Sequence, residues 1–190
     1  MNKDEAILLV KPHLTKERFD HTLRVATTAE ELAGKYNESK EKVELAAIFH
    51  DYAKYRPKEE LRRRIIKSSL PKDLLHYHHE LWHGPVGALL IEQEYGITDR
   101  LIQSAIRYHT TGKANMSKLD MIIFIADYME PGRTFPGVDE VREIAQDDLI
   151  HACLMASRNT IQHLMNKNAS VYPDTFYTYN DLINRINGGN

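Results

Sequence analysis

Cysteine is nearly absent from this 190-residue chain: Cys153 stands alone, which excludes an internal disulfide and any cysteine cage for a metal. Its setting, LIHACLMA, is apolar, so an inert core thiol is expected. Charge of one sign is also missing. The formal net charge is −2, with acidic and basic residues interspersed, and no Lys/Arg run is long enough to suggest a nucleic-acid-binding surface. The locally basic LRRRIIK at 61–67 reads as a solvated helix face. Long hydrophobic runs are missing too. The N-terminal MNKDEAILLVKPHL is interrupted by Lys11 and Pro12, and the longest apolar run, MIIFIA at 121–126, is far short of a bilayer span. The expectation is a soluble, cytoplasmic protein that binds neither nucleic acid nor membrane. There is also no glycine-rich phosphate loop.

Alternating strand patterns are scarce, whereas nearly every segment repeats with a helical period. A short first helix covers about residues 4–11. Thr15 caps a long second helix whose inner stripe is Phe19, Leu23, Ala26, Ala29, Leu32, Ala33 and Tyr36. Ser39 caps a third, which carries IFHDYAK and stops before Pro57. Pro57 and Pro71 begin two shorter amphipathic pieces, and Pro85 opens PVGALLIEQEY, closed by Gly96. Thr98 or Asp99 caps RLIQSAIRYHTT, closed by Gly112, and Ser117 caps KLDMIIFIADYME, closed by Pro131 and Gly132. Asp139 and Asp148 start the last long helices, and VYPDTFYTYNDLINRIN supplies an aromatic loop and a final helix. No repeat, low-complexity tract or long linker divides the chain, which is large enough for one core. One all-α domain over residues 1–190 is expected, a helical bundle completed by the helices from about 139 onward.

His50 and Asp51 interrupt the buried pattern of the third helix, with Lys54 one turn later. Burying an imidazole, a carboxylate and an ammonium is costly unless each has a partner. A divalent cation is such a partner: it offsets the desolvation of Asp51 and binds neutral His50 directly. Adjacent helical residues project about 100° apart, so both reach one ion only where the helix end looks into a pocket. Asp51, with two oxygens, can also bridge to a second ion. His21, His83, His109 and Asp127 fall on other successive elements, mostly near their ends, and packed helices can point such groups into one pocket. His13, His76, His78, His79, His151 and His163 read as surface or hydrogen-bonded groups. In HYHHELWH only His83, beside the HGP turn, is placed for the site.

Taken in order, RFDHTLRVA, IFHDYAK, HGPVGA, RYHTTG and IADYMEPGR resemble the HD-domain superfamily of metal-dependent phosphohydrolases. HDYAK, HTTG and ADYMEPGR narrow the resemblance to the YqeK branch, whose members are symmetrical diadenosine tetraphosphate hydrolases. It covers about residues 15–135. No paired HH or GYP element of the cyclic-dinucleotide phosphodiesterases follows. The resemblance implies an HD-type bundle in which His21, His50, Asp51 and Asp127 hold a first ion. It implies that His83 and His109 hold a second ion or hydrogen-bond substrate phosphate, and the sequence leaves both roles open. Oxygen and imidazole donors suit iron, manganese, zinc or cobalt better than magnesium, and the resemblance favours iron, as one or two ions.

On that reading the ion makes hydroxide available near neutral pH for attack on phosphorus and polarises the phosphoryl oxygen. Lys54 lies beside Asp51 and the same phosphate, Arg18 precedes His21 by about one turn, and Arg133 can fork onto a polyphosphate. Tyr172, Phe176 and Tyr177 are candidate walls against a purine or ribose; the alternative is that they pin the final helix to the core. The expected reaction is cleavage of diadenosine tetraphosphate to two ADP, with one ADP half retained near the metal as product. The rivals are another nucleotide phosphohydrolase of the same fold, a non-catalytic nucleotide sensor, and an iron oxygenase. Apolar surface on the C-terminal helices is a candidate homodimer face.

Overall fold

A computed structural model describes residues 1–188, and among them the chain forms ten α-helices and no strand. The helices begin where the caps predict. In α1 (Lys3–Val10) Asn2 and Glu5 form a capping box, and in α2 (Lys16–Tyr36) the Thr15 hydroxyl accepts from the Arg18 N–H. Ser39 caps α3 (Lys40–Phe49) in the same way. After α4 (Lys58–Lys67) and two short 3₁₀ turns come α5 (His83–Tyr95), closed by Gly96 at φ +68°, and α6 (Arg100–Tyr108), capped by Asp99. Ser117 and Asp120 box the start of α7 (Lys118–Met129). Then follow α8 (Val138–Ile144), α9 (Leu149–Asn166, capped by Asp148) and α10 (Pro173–Ile186).

The run MIIFIA explains the centre of the bundle. Every residue of α7 from Leu119 to Ala126 is buried; a helix apolar on all sides must be surrounded, and α2, α3, α6, α8 and α9 pack around it. Its C-terminal end therefore opens inward, with Asp127 in its last turn. The lone thiol, Cys153, is buried in α9, and burial pushes its pKa well up, as an inert core group requires. A second polar group of the interior lies behind α3. The Tyr52 hydroxyl, on a fully buried ring, bonds Glu94 and meets Tyr95 Oη (3.0 Å), Arg56 Nη2 (3.0 Å) and His13 Nε2 (3.3 Å).

Several boundaries differ from the sequence expectation, each for a local reason. Helix α3 stops at Phe49, and the chain continues in tight turns, with Tyr52 N–H donating to Phe49 O and Lys54 N–H to Asp51 O. Pro71 opens a 3₁₀ turn (Lys72–His76), not an amphipathic α-helix, with its indole anchor supplied by Trp82 Nε1–H to Leu74 O (2.8 Å). Helix α5 starts at His83, two residues before Pro85, because a first-turn N–H has no intrahelical acceptor to lose. Helix α6 ends at Tyr108, so Gly112 lies in the turn beyond and not at the helix end. Helix α8 is short and starts from Gly137 at φ +86°, so Asp139 lies inside its first turn and does not cap it. The aromatic stretch is helical from Pro173, which places Phe176 and Tyr177 on α10 instead of in a loop.

Candidate metal centre

Five chain segments deliver the site. Arg18, His21 and Arg24 recur every three residues along one side of α2. His50 is the C-cap of α3 and Asp51 the first residue of the following turn, so the tight turns bring two adjacent side chains to one pocket. His83 begins α5, His109 ends α6, and Asp127 stands in the last turn of α7. His21, His50, Asp51, His83 and His109 are buried, and Asp127 is partly so.

Four donor atoms converge from the residues expected at the first ion. His21 Nε2 lies 3.1 Å from Asp127 Oδ1 and 3.7 Å from Asp51 Oδ2; His50 Nε2 lies 3.0 Å from Asp51 Oδ2 and 4.0 Å from Asp127 Oδ1. Metal–ligand bonds of about 2.0–2.2 Å place neighbouring octahedral donors about 3 Å apart and opposite ones about 4.2 Å apart. The observed spacings fit that range. The other Asp51 oxygen faces the remaining pair: Oδ1 is 3.0 Å from His83 Nε2 and 3.9 Å from His109 Nε2. Asp51 thus stands between two halves of one site.

The rings are oriented for the same purpose. Nδ1 of His50, His83 and His109 donates to the carbonyl three residues earlier: Ala47 (2.6 Å), Glu80 (2.5 Å) and Ile106 (2.7 Å). His21 Nδ1 donates instead to a side chain, Glu130 Oε1, at 3.0 Å. Every Nε2 is therefore turned inward, and in the neutral ring it carries a lone pair. These lone pairs face carboxylate oxygens and one another, with His83 Nε2 and His109 Nε2 only 3.0 Å apart. Nε2 of His21, Nε2 of His50 and Oδ2 of Asp51 are buried without a hydrogen-bond partner among the described residues. Acceptors held so close call for positive charge: Arg18 and Arg133 supply part of it to the carboxylates, and a divalent cation would fit among the inward nitrogens.

Charge within the cluster shifts its titrating groups against the effect of burial. Burial would raise Asp51, yet His50 and His83 hold it well below the ordinary carboxylate value; Asp127 is held low against burial by the His21 ring and by His50. Burial would lower His50, but Asp51 and Asp127 raise it. His109 is pushed down to about 3 by burial, with His83 and His50 adding to the effect, so it is neutral at physiological pH.

Around this centre stand the expected cations. Arg18 Nη1 is 2.9 Å from Asp51 Oδ2, and Arg133 Nη2 is 2.7 Å from Asp127 Oδ1. Lys54 Nζ instead pairs with Glu80 Oε2 at 2.6 Å. The aromatic trio divides. Tyr172 is buried against Tyr77, with ring centroids 4.9 Å apart, and lines a crevice of about 20 Å³ with Arg107, Thr110 and Asp174. Thr110 Oγ1 is 3.1 Å from His109 Nε2, so the crevice adjoins the site. Phe176 and Tyr177 are 41% and 56% exposed and line no part of it. Two glycines of the motifs serve the geometry. A Cβ on Gly84 would come within 2.9 Å of Arg107 O and 3.4 Å of His109 Cε1, so glycine lets α5 and α6 approach and bring His83 to His109. A Cβ on Gly132 would meet the Arg24 guanidinium at 2.7 Å.

That last contact belongs to a group that sequence reasoning missed. Glu130, 2% exposed, receives His21 Nδ1–H, Arg24 Nε–H (2.5 Å) and the Gly132 N–H (2.6 Å). Burial opposes its charge, but Arg24 and His21 bring its pKa down to about 2. The available signals were a carboxylate three residues after Asp127 and an arginine three residues after His21.

A helical bundle gathering four imidazoles and two carboxylates at these spacings defines a class, and the sequence matches it: residues 18–132 fit the HD domain family. The chain belongs to that family. Among its relatives, the symmetrical bis(5'-nucleosyl)-tetraphosphatase of Bacillus subtilis (strain 168) is 51% identical over 183 residues, covering 96% of this chain and 98% of that protein. The protein of the same name from Staphylococcus aureus (strain NCTC 8325 / PS 47) is 43% identical over 188 residues, 95% and 97% of the two chains. The crystal structure of a predicted HD superfamily hydrolase involved in NAD metabolism from Clostridium acetobutylicum superposes with a TM-score of 0.91 at 39% identity, over 97% and 98% of the two chains.

Proposed function

We propose that this protein is a metal-dependent phosphoric-anhydride hydrolase that cleaves diadenosine tetraphosphate symmetrically to two ADP. The observation that carries the reading is near-full-length likeness to symmetrical tetraphosphatases, in a chain whose converging imidazoles and carboxylates could hold a cation. His21, His50, Asp51 and Asp127 would hold the first ion, and iron suits their imidazole and carboxylate donors, as do manganese, cobalt and zinc. When bound, the ion supplies Lewis acidity and an activated water.

The chain's own residues do the rest. Phosphoryl transfer depends chiefly on positioning and on stabilising charge. Arg18 and Arg133 keep guanidinium N–H groups beside the ligating carboxylates, where a polyphosphate oxygen can be shared. Lys54 adds a third cation on the side of His83. Because His83 and His109 spend their Nδ1–H groups on carbonyls, their neutral rings have no Nε2–H to give a phosphate. This favours the reading in which His83 and His109, with Asp51, would hold a second ion. The leaving ADP departs as an anion and needs no proton from the protein. Tyr172 and the crevice beside Thr110 lie where a ribose or base edge attached to that phosphate would reach.

Product analysis by chromatography, after incubation with ferrous iron or manganese, tests the reading. ADP as the sole nucleotide product is expected, with the same yield under nitrogen. Equal AMP and ATP would overturn symmetrical cleavage, and a requirement for oxygen would overturn the hydrolytic class.

A further inference from the structure

Lys54 is the one expected phosphate ligand whose partner is neither metal ligand nor substrate. Its backbone N–H bonds Asp51 O at 2.8 Å, so its base is fixed in the turn that carries His50 and Asp51. Its ammonium meets the Glu80 carboxylate at 2.6 Å, the ion pair of Lys54 among the described residues. The two partners are unequally sheltered: the Lys54 side chain is 17% exposed and that of Glu80 52%. Glu80 is also held at the site by its main chain, since its carbonyl takes the Nδ1–H of His83 at 2.5 Å. A fixed backbone with a half-exposed carboxylate lets the side chain swing into water without disturbing His83.

We propose that the Glu80 carboxylate is a built-in competitor for Lys54, occupying the ammonium that a substrate or product phosphate uses and returning to it as ADP leaves. The inference rests on the reading of Lys54 as a phosphate-binding residue. Its consequence is kinetic. Affinity shared by substrate and product does not speed the chemical step, and an anionic product held by several cations leaves slowly. A carboxylate that recaptures one cation weakens that hold. A glutamate is an anion at neutral pH whether or not Lys54 is paired with it, and the hydrogen bond and charge of Lys54 lower its pKa further. Exposed ion pairs are weak, equivalent to about fivefold or less in an equilibrium constant, which suits a contact broken and remade in each cycle.

The test is a cycle of Glu80→Gln, Lys54→Met and the double variant, read by calorimetric binding of ADP and by KM for diadenosine tetraphosphate. Glu80→Gln is expected to tighten ADP binding and lower KM by about three- to fivefold, without raising kcat. In the Lys54→Met background the same change is expected to alter neither. A gain of affinity is the reverse of what structural damage produces. Unchanged or weaker ADP binding by Glu80→Gln overturns the proposal, as does a gain that persists without Lys54. ADP binding is measured independently of turnover. Failure of wild-type protein to hydrolyse the tetraphosphate therefore counts against the function and leaves the Glu80 measurement decisive.

Discussion

Asp51 and Tyr52 are neighbours in the chain, both buried, yet they enter two polar clusters of opposite kind, one in the interior and one reaching the surface. Around Tyr52, the hydroxyl, Glu94, Tyr95, Arg56 and His13 supply donors and acceptors to one another, and only Arg56 Nε is left without a partner. Around Asp51, by contrast, inward imidazole nitrogens crowd carboxylate oxygens and one another, with Arg18 the cation at Asp51 Oδ2. A buried polar group is tolerable when hydrogen-bonded, so the first cluster is close to complete as protein, whereas the second leaves His21 Nε2 and His50 Nε2 without a hydrogen-bond partner and suits a cation. The lesson concerns histidine. His13 is half-buried beside Tyr52 and His50 is fully buried, and what separates their settings is whether the remaining nitrogen meets a hydroxyl or a carboxylate.

The comparison can be broken by substitution. The largest effect is expected from Asp51→Asn, which should reduce hydrolysis to background and remove divalent-ion binding measured by calorimetry, with the helical circular dichroism retained. Survival of ion binding would mean that the second cluster is not a metal centre. Glu130→Gln should be next. It keeps the shape but weakens the anchor of His21, and orienting partners of metal-bound histidines are worth about 10- to 100-fold in affinity. Equilibrium dialysis with cobalt, read also by its visible spectrum, checks this apart from activity.

Tyr52→Phe is the opposite experiment. It should leave ion binding and turnover near wild type while costing about 1–2 kcal/mol of stability in urea unfolding, because a hydroxyl shared by several partners is lost. The last test is in pH. Glu130 has a folded-state pKa of about 2 against an ordinary 4.5, so between those values the unfolded chain binds more protons. Its contribution is complete above pH 4.5 and is lost as pH falls through 2. The stability difference between metal-free wild type and Glu130→Gln should therefore shrink across that window.

Much of the centre was legible in the sequence because His50–Asp51, His83, His109 and Asp127 sit at helix ends in motifs with a fixed order. The end of α3 was not, since nothing in IFHDYAK distinguishes a continuing helix from tight turns; the local hydrogen bonds at Phe49 and Asp51 decide it. Arg24 and Glu130 escaped because they meet across 106 residues and each reads as a surface charge on its own helix or loop. The Lys54–Glu80 pair escaped likewise, for Glu80 lies in an irregular segment that no periodicity describes.

Three of the four inward histidines are steered by a carbonyl of their own preceding turn, and only His21 depends on a side chain. Heritable change has little grip on the first three, because main-chain oxygens are the same whatever residue carries them. Position 130 is different: one codon there resets the basicity and tilt of a single ligand and spares its companions. If His21 holds the ion as proposed, deliberate retuning of the site has its most direct lever at that glutamate.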